Sequence, residues 1–489
     1  MRDGKWGFLW LGAGSLLFVF VGWKWNMALA AWVAPVFLVR HFRGCVRWRC
    51  ALLAYPALLI ASFLKFSGTW AQVIGVGLEA AVSAVLPLPL LAALAVDRGF
   101  FRRAPAWSRA LVLPASYVLA DFAFGHIPSF GTAGSMAVSQ FFNGPGIQLA
   151  CFTGIWGISF LILWVAAAFA GWWEAGFPAG KPALPLAAAV LAGGVLCLAG
   201  GLRLTAFSPA SQTVKIAGIA EEHERDYWDL ILDRRVPVEE APRFSPELDR
   251  LEDELFRRSE QAAAGGAGIV FWSEANLFVY ENELGALLEK AGEFAREHQV
   301  YFAPSLQVLH FGSTLNDNRA VLFAPDGRIL YTYKKHMSLY DVDSDGVIPF
   351  ADTPFGRIAS AICFDMDFPS YIRQAGKKSV DIMLVPAYDT KGGSPFHGYV
   401  GLLRAVENGF SVFRSASNGT SMAVDCTGRL IGQLDFFHSQ DGVFFADLPV
   451  RGVRTLYSRA GDWLVGASIA ILAGLLVREF VVSRRRRRR

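Results

Sequence analysis

The sequence predicts a two-part protein: an α-helical polytopic membrane domain of about eight spans, and a soluble α/β domain set between the seventh span and the last. Three observations carry this. Hydrophobic residues make up 53% of the chain, with 39 Phe and 15 Trp against only 18% charged residues, which is too apolar for a wholly soluble protein. From Trp6 to Leu202 apolar runs follow one another, broken by short polar or basic pieces. Between Gln212 and Val450 the composition changes to alternating strand-like and helix-like segments.

The apolar runs predict spans near 6–22, 26–39, 51–66, 71–97, 108–126, 147–172 and 183–202, and an eighth from Trp463 to Val482. The first, with Arg2 and Lys5 before it, could pass for a signal peptide, but apolar character continues through Val39, so an uncleaved span is expected. Lysine and arginine mark cytoplasmic loops. Arg40, Arg43, Arg47 and Arg49 follow span two, Arg98, Arg102, Arg103 and Arg109 follow span four, and Arg484 to Arg489 close the chain. With the N-terminus inside, all these clusters are cytoplasmic, as is the basic tail 484–489, and the α/β domain lies outside. The expected location is a bacterial inner membrane, crossed several times, with both termini cytoplasmic and the soluble domain periplasmic.

Domain limits are expected at 1–210, 211–450 and 451–483. Within the second, Val214–Ile219 predicts a strand, and Ser245-Pro246 predicts a helix N-cap and first-turn proline ahead of Leu248, Leu251 and Leu255. Strands are predicted at Ile269–Trp272, Val300–Ala303, Ala320–Ala324, Ile329–Lys335, Ile358–Phe364 and Asp381–Ala387, and helices at Glu283–His298 and His397–Asn408.

Six cysteines, at 45, 50, 151, 197, 363 and 426, show no Cys-x-x-Cys spacing, so neither a zinc site nor a disulfide framework is indicated. No phosphate-binding loop, Gly-x-Ser-x-Gly elbow or His-Glu-x-x-His pair is present. No metal, cofactor or nucleic-acid partner is expected, and the arginine tail reads as a topology signal.

Three residues at predicted strand ends make a chemical set: Glu274, Lys335 and Cys363. Acyl transfer through a thiol needs a base, a fixed cation for the oxyanion and a nucleophile. Taken alone, Cys363 reads more readily as a small buried side chain.

The surrounding patterns resemble the nitrilase superfamily. Phe271-Trp272-Ser273-Glu274 is similar to its strand ending in Pro-Glu, and Gly327-x-Ile329-x-x-x-Tyr333-x-Lys335 matches its lysine stretch. Ile362-Cys363-Phe364-Asp365 with Phe368-Pro369 matches its nucleophile segment, and Arg404-Ala405-x-Glu407-Asn408 and Asn418-Gly419-x-Ser421 resemble two later motifs. The resemblance implies an α-β-β-α sandwich, Glu274 as general base, Lys335 and the Phe364 backbone N–H as oxyanion partners, and a thioester on Cys363. Lys334 is an alternative to Lys335; strand alternation puts Tyr331, Tyr333 and Lys335 on one face, which favours Lys335.

Seven spans, an outward domain of this kind and one closing span resemble the layout of the apolipoprotein N-acyltransferase family, as do Thr455–Trp463 and the stretch from Gly146 to Phe160. The resemblance implies a membrane phospholipid as acyl donor, the N-terminal amine of a diacylglyceryl-cysteine apolipoprotein as acceptor, and a monomer. A membrane-tethered amidase or carbamoylase using water is the alternative; a catalytically dead domain on a transporter is a third. The chain departs from the family at Asp343, where a supporting glutamate is usual, at Phe364-Asp365, usually Tyr-Glu, and at Ala387-Tyr388-Asp389. Asp343 and Asp365 are the candidate supporting carboxylates, although Asp341 to Gly346 also reads as an acidic, Ca²⁺-loop-like run.

Overall fold

The computed structural model describes residues 6–45, 48–69, 71–101, 104, 106–206, 212–221, 241–312, 316–338, 342–438 and 442–487. Arg2, Lys5, Arg47, Arg102, Arg103, Asp341 and Arg488–Arg489, and the side chain of Arg49, lie outside the described residues. The chain divides into two units, Met1–Phe207 with Ala460–Arg489, and Ser208–Arg459.

The first unit is helical. Among the described residues, four helical stretches are long and apolar enough to cross a bilayer: Gly75–Phe100, Ile155–Glu174, Lys181–Ala206 and Trp463–Arg485. Two of them leave much of their surface bare, with Leu184, Leu191, Leu198 and Leu202 exposed on one and Ile469, Leu476, Val477 and Phe480 on the other. Side chains of that kind are held in lipid, not in water. The count of about eight is therefore not reached on length and apolarity. The predicted spans 6–22 and 51–66 contract to helices of 12 and 13 residues, Gly7–Phe18 and Ala54–Phe66. The predicted span 147–172 is cut at Gly154, whose φ of +67° ends the turn Ala150–Thr153 and opens Ile155–Glu174.

Helix Gly7–Phe18 packs on Ala28–Gly44 because Gly14 has no Cβ; one would lie 2.8 Å from Leu38. Arg40 and Arg43, expected between spans, belong instead to helix Ala28–Gly44. Arg43 is buried and grips Asp97 through two bonds of 2.7 and 2.9 Å, while Arg40 reaches Glu174 at 3.5 Å. A charge this deep is tolerable only when paired.

The second unit is built on two sheets. Its strands are β1 Thr213–Ile219, β2 Ile269–Trp272, β3 Leu277–Tyr280, β4 Tyr301–Ala303, β5 Ser305–Leu309, β6 Asp317–Phe323, β7 Ile329–Lys334, β8 Phe350–Thr353, β9 Gly356–Ser360, β10 Ile382–Tyr388, β11 Ser411–Ser417, β12 Thr420–Val424, β13 Leu430–Asp435 and β14 Val443–Pro449. One sheet runs β14-β1-β2-β4-β6-β5-β3 with β7 against β6; the other runs β13-β12-β11-β10-β9-β8. β1, β2 and β4 are mutually parallel, as are β9, β10 and β11.

The inner faces meet at Phe271 against Phe413, ring centroids 5.4 Å apart, and at Gly218, where a Cβ would come within 2.7 Å of Ser415. Helices Ala241–Ala264 and Leu284–His298 cover the first sheet's outer face, packing Leu255, Phe256 and Phe294 on Trp272 and Phe302. Helices Pro369–Lys377 and Phe396–Asn408 pack together on the second sheet's side. The result is four layers, α-β-β-α.

Several boundaries differ from expectation. The helix predicted to start at Ser245-Pro246 starts at Ala241 and runs through Pro246. Pro242, in its first turn, takes the role expected of Pro246, and the leucine face downstream carries the helix past one lost ladder bond. Strands β3 and β5 were not predicted, because each is a short apolar run beside an already assigned element.

Candidate active site

The C-terminal ends of β2, β7, β9 and β10 converge. Glu274 follows β2, Lys335 directly follows β7, and β10 ends at Tyr388. The strand expected to end at Cys363 stops at Ser360, and Cys363 opens a 3-10 turn, Cys363–Asp367, with φ +48°. A non-glycine residue held in the left-handed region is strained and persists only when its surroundings fix it.

Those surroundings are the hydrogen bonds of Asp365. One carboxylate oxygen accepts the Ile362 N–H at 2.9 Å and the Tyr333 hydroxyl at 2.6 Å; the other accepts the His336 and Met337 N–H groups at 3.2 and 2.7 Å. Asp365 is therefore wholly engaged in holding the cysteine turn to the segment that carries Lys335. Burial pushes its carboxyl up, against the pull of Lys335, the Tyr333 hydroxyl and the N–H donors.

Glu274 is 4% exposed. One oxygen receives the Lys335 ammonium at 2.5 Å and the Asn318 amide at 2.8 Å; the other receives the Tyr388 N–H at 2.9 Å. Asn318, on β6, also accepts the Lys335 backbone N–H at 2.8 Å through its carbonyl. Burial works against the Lys335 charge, but Glu274, Cys363 and Asp365 outweigh it and hold the ammonium pKa above its ordinary range. The Cys363 thiol, 6% exposed, points at the Tyr388 carbonyl at 3.4 Å. Burial and the Glu274 charge push its pKa up, while His397 and Lys335 pull it down. A thiol in that state needs a base before it can attack.

Cross-sheet bonds clamp this end of the sandwich. Ser273, standing where the superfamily usually has proline, bonds Asn276 and Ser417, each at 2.6 Å, and Tyr331 bonds Ser360 at 2.9 Å. Phe364 packs edge-on against Phe368, ring centroids 5.1 Å apart. Asp343 lies elsewhere: it pairs with Lys334 at 2.6 Å, with side chains 68% and 33% exposed. Asp345, from the same acidic run, accepts the Val347 N–H at 2.9 Å.

Beside the sulfur is a second polar cluster. His397 bonds Asp389 at 2.8 Å through Nδ1 and Asp367 at 2.7 Å through Nε2, and Arg414 donates to Asp389 at 2.7 Å. Donor atoms of Cys363, Asp389 and His397 lie within 4.8 Å of one another, a set that could ligate a small divalent cation. Both ring nitrogens are already engaged with carboxylates, which favours an ion-pair network.

Residues 241–457 match the carbon–nitrogen hydrolase family. An apolipoprotein N-acyltransferase from Geobacter metallireducens is 24% identical over 466 residues, covering 87% of this chain and 85% of that protein, so the likeness extends through both units. The chain is similar to apolipoprotein N-acyltransferases over most of its length. A probable hydrolase, nit2, from Schizosaccharomyces pombe is 28% identical over 232 residues but covers only 39% of this chain and 82% of its own length. A nitrilase-superfamily amidase from Nesterenkonia aligns structurally with 49% of this chain and 92% of its own, at 20% identity and a TM-score of 0.38.

Asn318, Asp367, Asp389, His397 and Arg414 complete the cluster, and the sequence does not mark them as site residues. In the sequence Asp389 stands only as part of a departure from the family pattern, and His397 only as the first residue of a predicted helix. A half-buried histidine whose partners lie 8 and 30 residues away carries no local signature.

Proposed function

We propose that this chain transfers a fatty acyl group from a membrane phospholipid, through a thioester on Cys363, to the N-terminal amine of a diacylglyceryl-cysteine apolipoprotein. The observation that carries the reading is the buried Glu274–Lys335 pair beside the Cys363 thiol, in a chain similar to an N-acyltransferase over most of its length.

The Cys363 Sγ–H proton passes to Glu274 as sulfur attacks the ester carbonyl, and the Lys335 ammonium and Phe364 backbone N–H hold the oxyanion. Collapse expels the lysophospholipid alkoxide, which takes the proton back from Glu274 and leaves the acyl thioester. The acceptor amine then attacks, its proton goes to Glu274, and collapse to the amide releases the Cys363 thiolate, which Glu274 reprotonates. Asp365 acts through the turn it holds, as a positioning residue.

We further infer eight crossings, adding Gly7–Phe18, Ala28–Gly44, Ala54–Phe66 and Ala106–Phe124 to the four long apolar stretches. An even number keeps both termini cytoplasmic, the side indicated by Arg98, Arg109, Arg484 and Arg485, and leaves the α/β unit periplasmic in an inner membrane. Membrane-anchored donor and acceptor would then reach the site by diffusion in two dimensions.

Purified protein incubated with phospholipid carrying radiolabelled acyl chains should acquire hydroxylamine-labile label, and Cys363→Ala should acquire none. Folded wild type that never takes up label would sink the proposal. Steady release of free fatty acid without transfer to a diacylated peptide would favour the water-using amidase reading.

A further inference from the structure

Four ionisable side chains near the sulfur have no part in the scheme above: Asp367 from the cysteine turn, Asp389 after β10, His397 from helix Phe396–Asn408 and Arg414 on β11. Asp367 and Asp389 are 0% and 5% exposed. Each His397 nitrogen lies within 2.8 Å of a carboxylate oxygen, and an ionised carboxylate can only accept. Burial would raise the Asp389 carboxyl, yet Arg414 and His397 hold it down at about 2, so it is ionised. A ring that donates through both nitrogens is an imidazolium. One of its nitrogens is within 4.8 Å of the Cys363 sulfur.

We propose that His397, clamped as an imidazolium by Asp367 and Asp389, is a positioning residue that keeps the Cys363 sulfur anionic after its proton has left, both for attack on the donor and for departure from the thioester. The inference rests on Cys363 being the nucleophile. Lys335 is tied to Glu274 at 2.5 Å, so its charge is shared between a carboxylate and an oxyanion. His397 supplies a second cation that the oxyanion does not need.

The charged groups acting on the sulfur come from four segments. Glu274 disfavours the thiolate; Lys335, His397 and Arg414 favour it. Asp389 and Asp367 face the imidazolium, as do Cys363 itself and the Arg414 guanidinium, 3.5 Å from Nδ1.

The test uses the full chain in detergent and needs no acyl donor, so it is independent of the transfer reading. Iodoacetamide alkylation of Cys363 is followed against pH by mass spectrometry of its peptide. His397→Gln should raise the midpoint by about one unit, slowing alkylation on the order of tenfold at neutral pH. Asp367→Asn should move it the same way by less, and Glu274→Gln should lower it. If His397→Gln fails to fold, Asp367→Asn decides. A midpoint that stays put in the folded variants, even with a slower rate, overturns the proposal, because a merely structural role would change rate without changing ionisation.

Discussion

Lys334 and Lys335 are adjacent, yet their surroundings give them different chemistry. Lys334 pairs with Asp343 at the surface, an interaction worth about 0–1 kcal/mol, whereas Lys335 is 12% exposed and lies on buried Glu274. Lys335→Met should therefore cut acyl loading of Cys363 by roughly 10²–10³, while Lys334→Met and Asp343→Asn should leave it near wild type. Single-turnover loading with labelled phospholipid checks this; equal losses at 334 and 335 would refute the assignment. Strand alternation favours Lys335, being a property of local backbone, and it is Lys335 whose ammonium lies on Glu274. His397 and Asn318 were beyond reach, since their importance comes only from what the fold brings to them.

The element that matters most is the turn Cys363–Asp367. The sequence predicts a strand ending at the cysteine; the strand stops at Ser360, and Cys363 is held at its left-handed φ by Asp365, which accepts the Ile362 N–H beside the turn and three donors, Tyr333, His336 and Met337, from the segment around Lys335. Asp365→Asn keeps the shape but turns one accepting oxygen into a donor facing donors. The expected cost is about 1–3 kcal/mol or more, read as a lowered unfolding midpoint, together with slower alkylation of Cys363. A variant matching wild type in both would show that the turn does not depend on the carboxylate. Long periodic elements such as Leu284–His298 were legible; β3, β5 and the start of helix Ala241–Ala264 were not, because neighbours and packing set them more than local pattern.

For the whole molecule, the proposed topology rests on the basic clusters other than Arg43, which is neutralised by Asp97 and reads as a structural pair. A reporter fused after Arg489 should be active only on the cytoplasmic side, and one inserted near Ser208, outside the described residues, only on the periplasmic side. Periplasmic activity from the Arg489 fusion would break the eight-crossing arrangement. The two-part plan was legible from composition alone, whereas the length of each crossing was not: Gly154 and the short helices Gly7–Phe18 and Ala54–Phe66 divide apolar runs that hydropathy reads as continuous.

The Tyr388 main chain touches both Glu274 and Cys363: its N–H donates to the Glu274 carboxylate and its carbonyl receives the Cys363 thiol. Neither atom belongs to a side chain. The side chain at 388 can therefore change without removing either contact, at the loss of the Asn418 amide that the Tyr388 hydroxyl accepts at 2.5 Å. Proline is the exception, because it alone would remove the N–H.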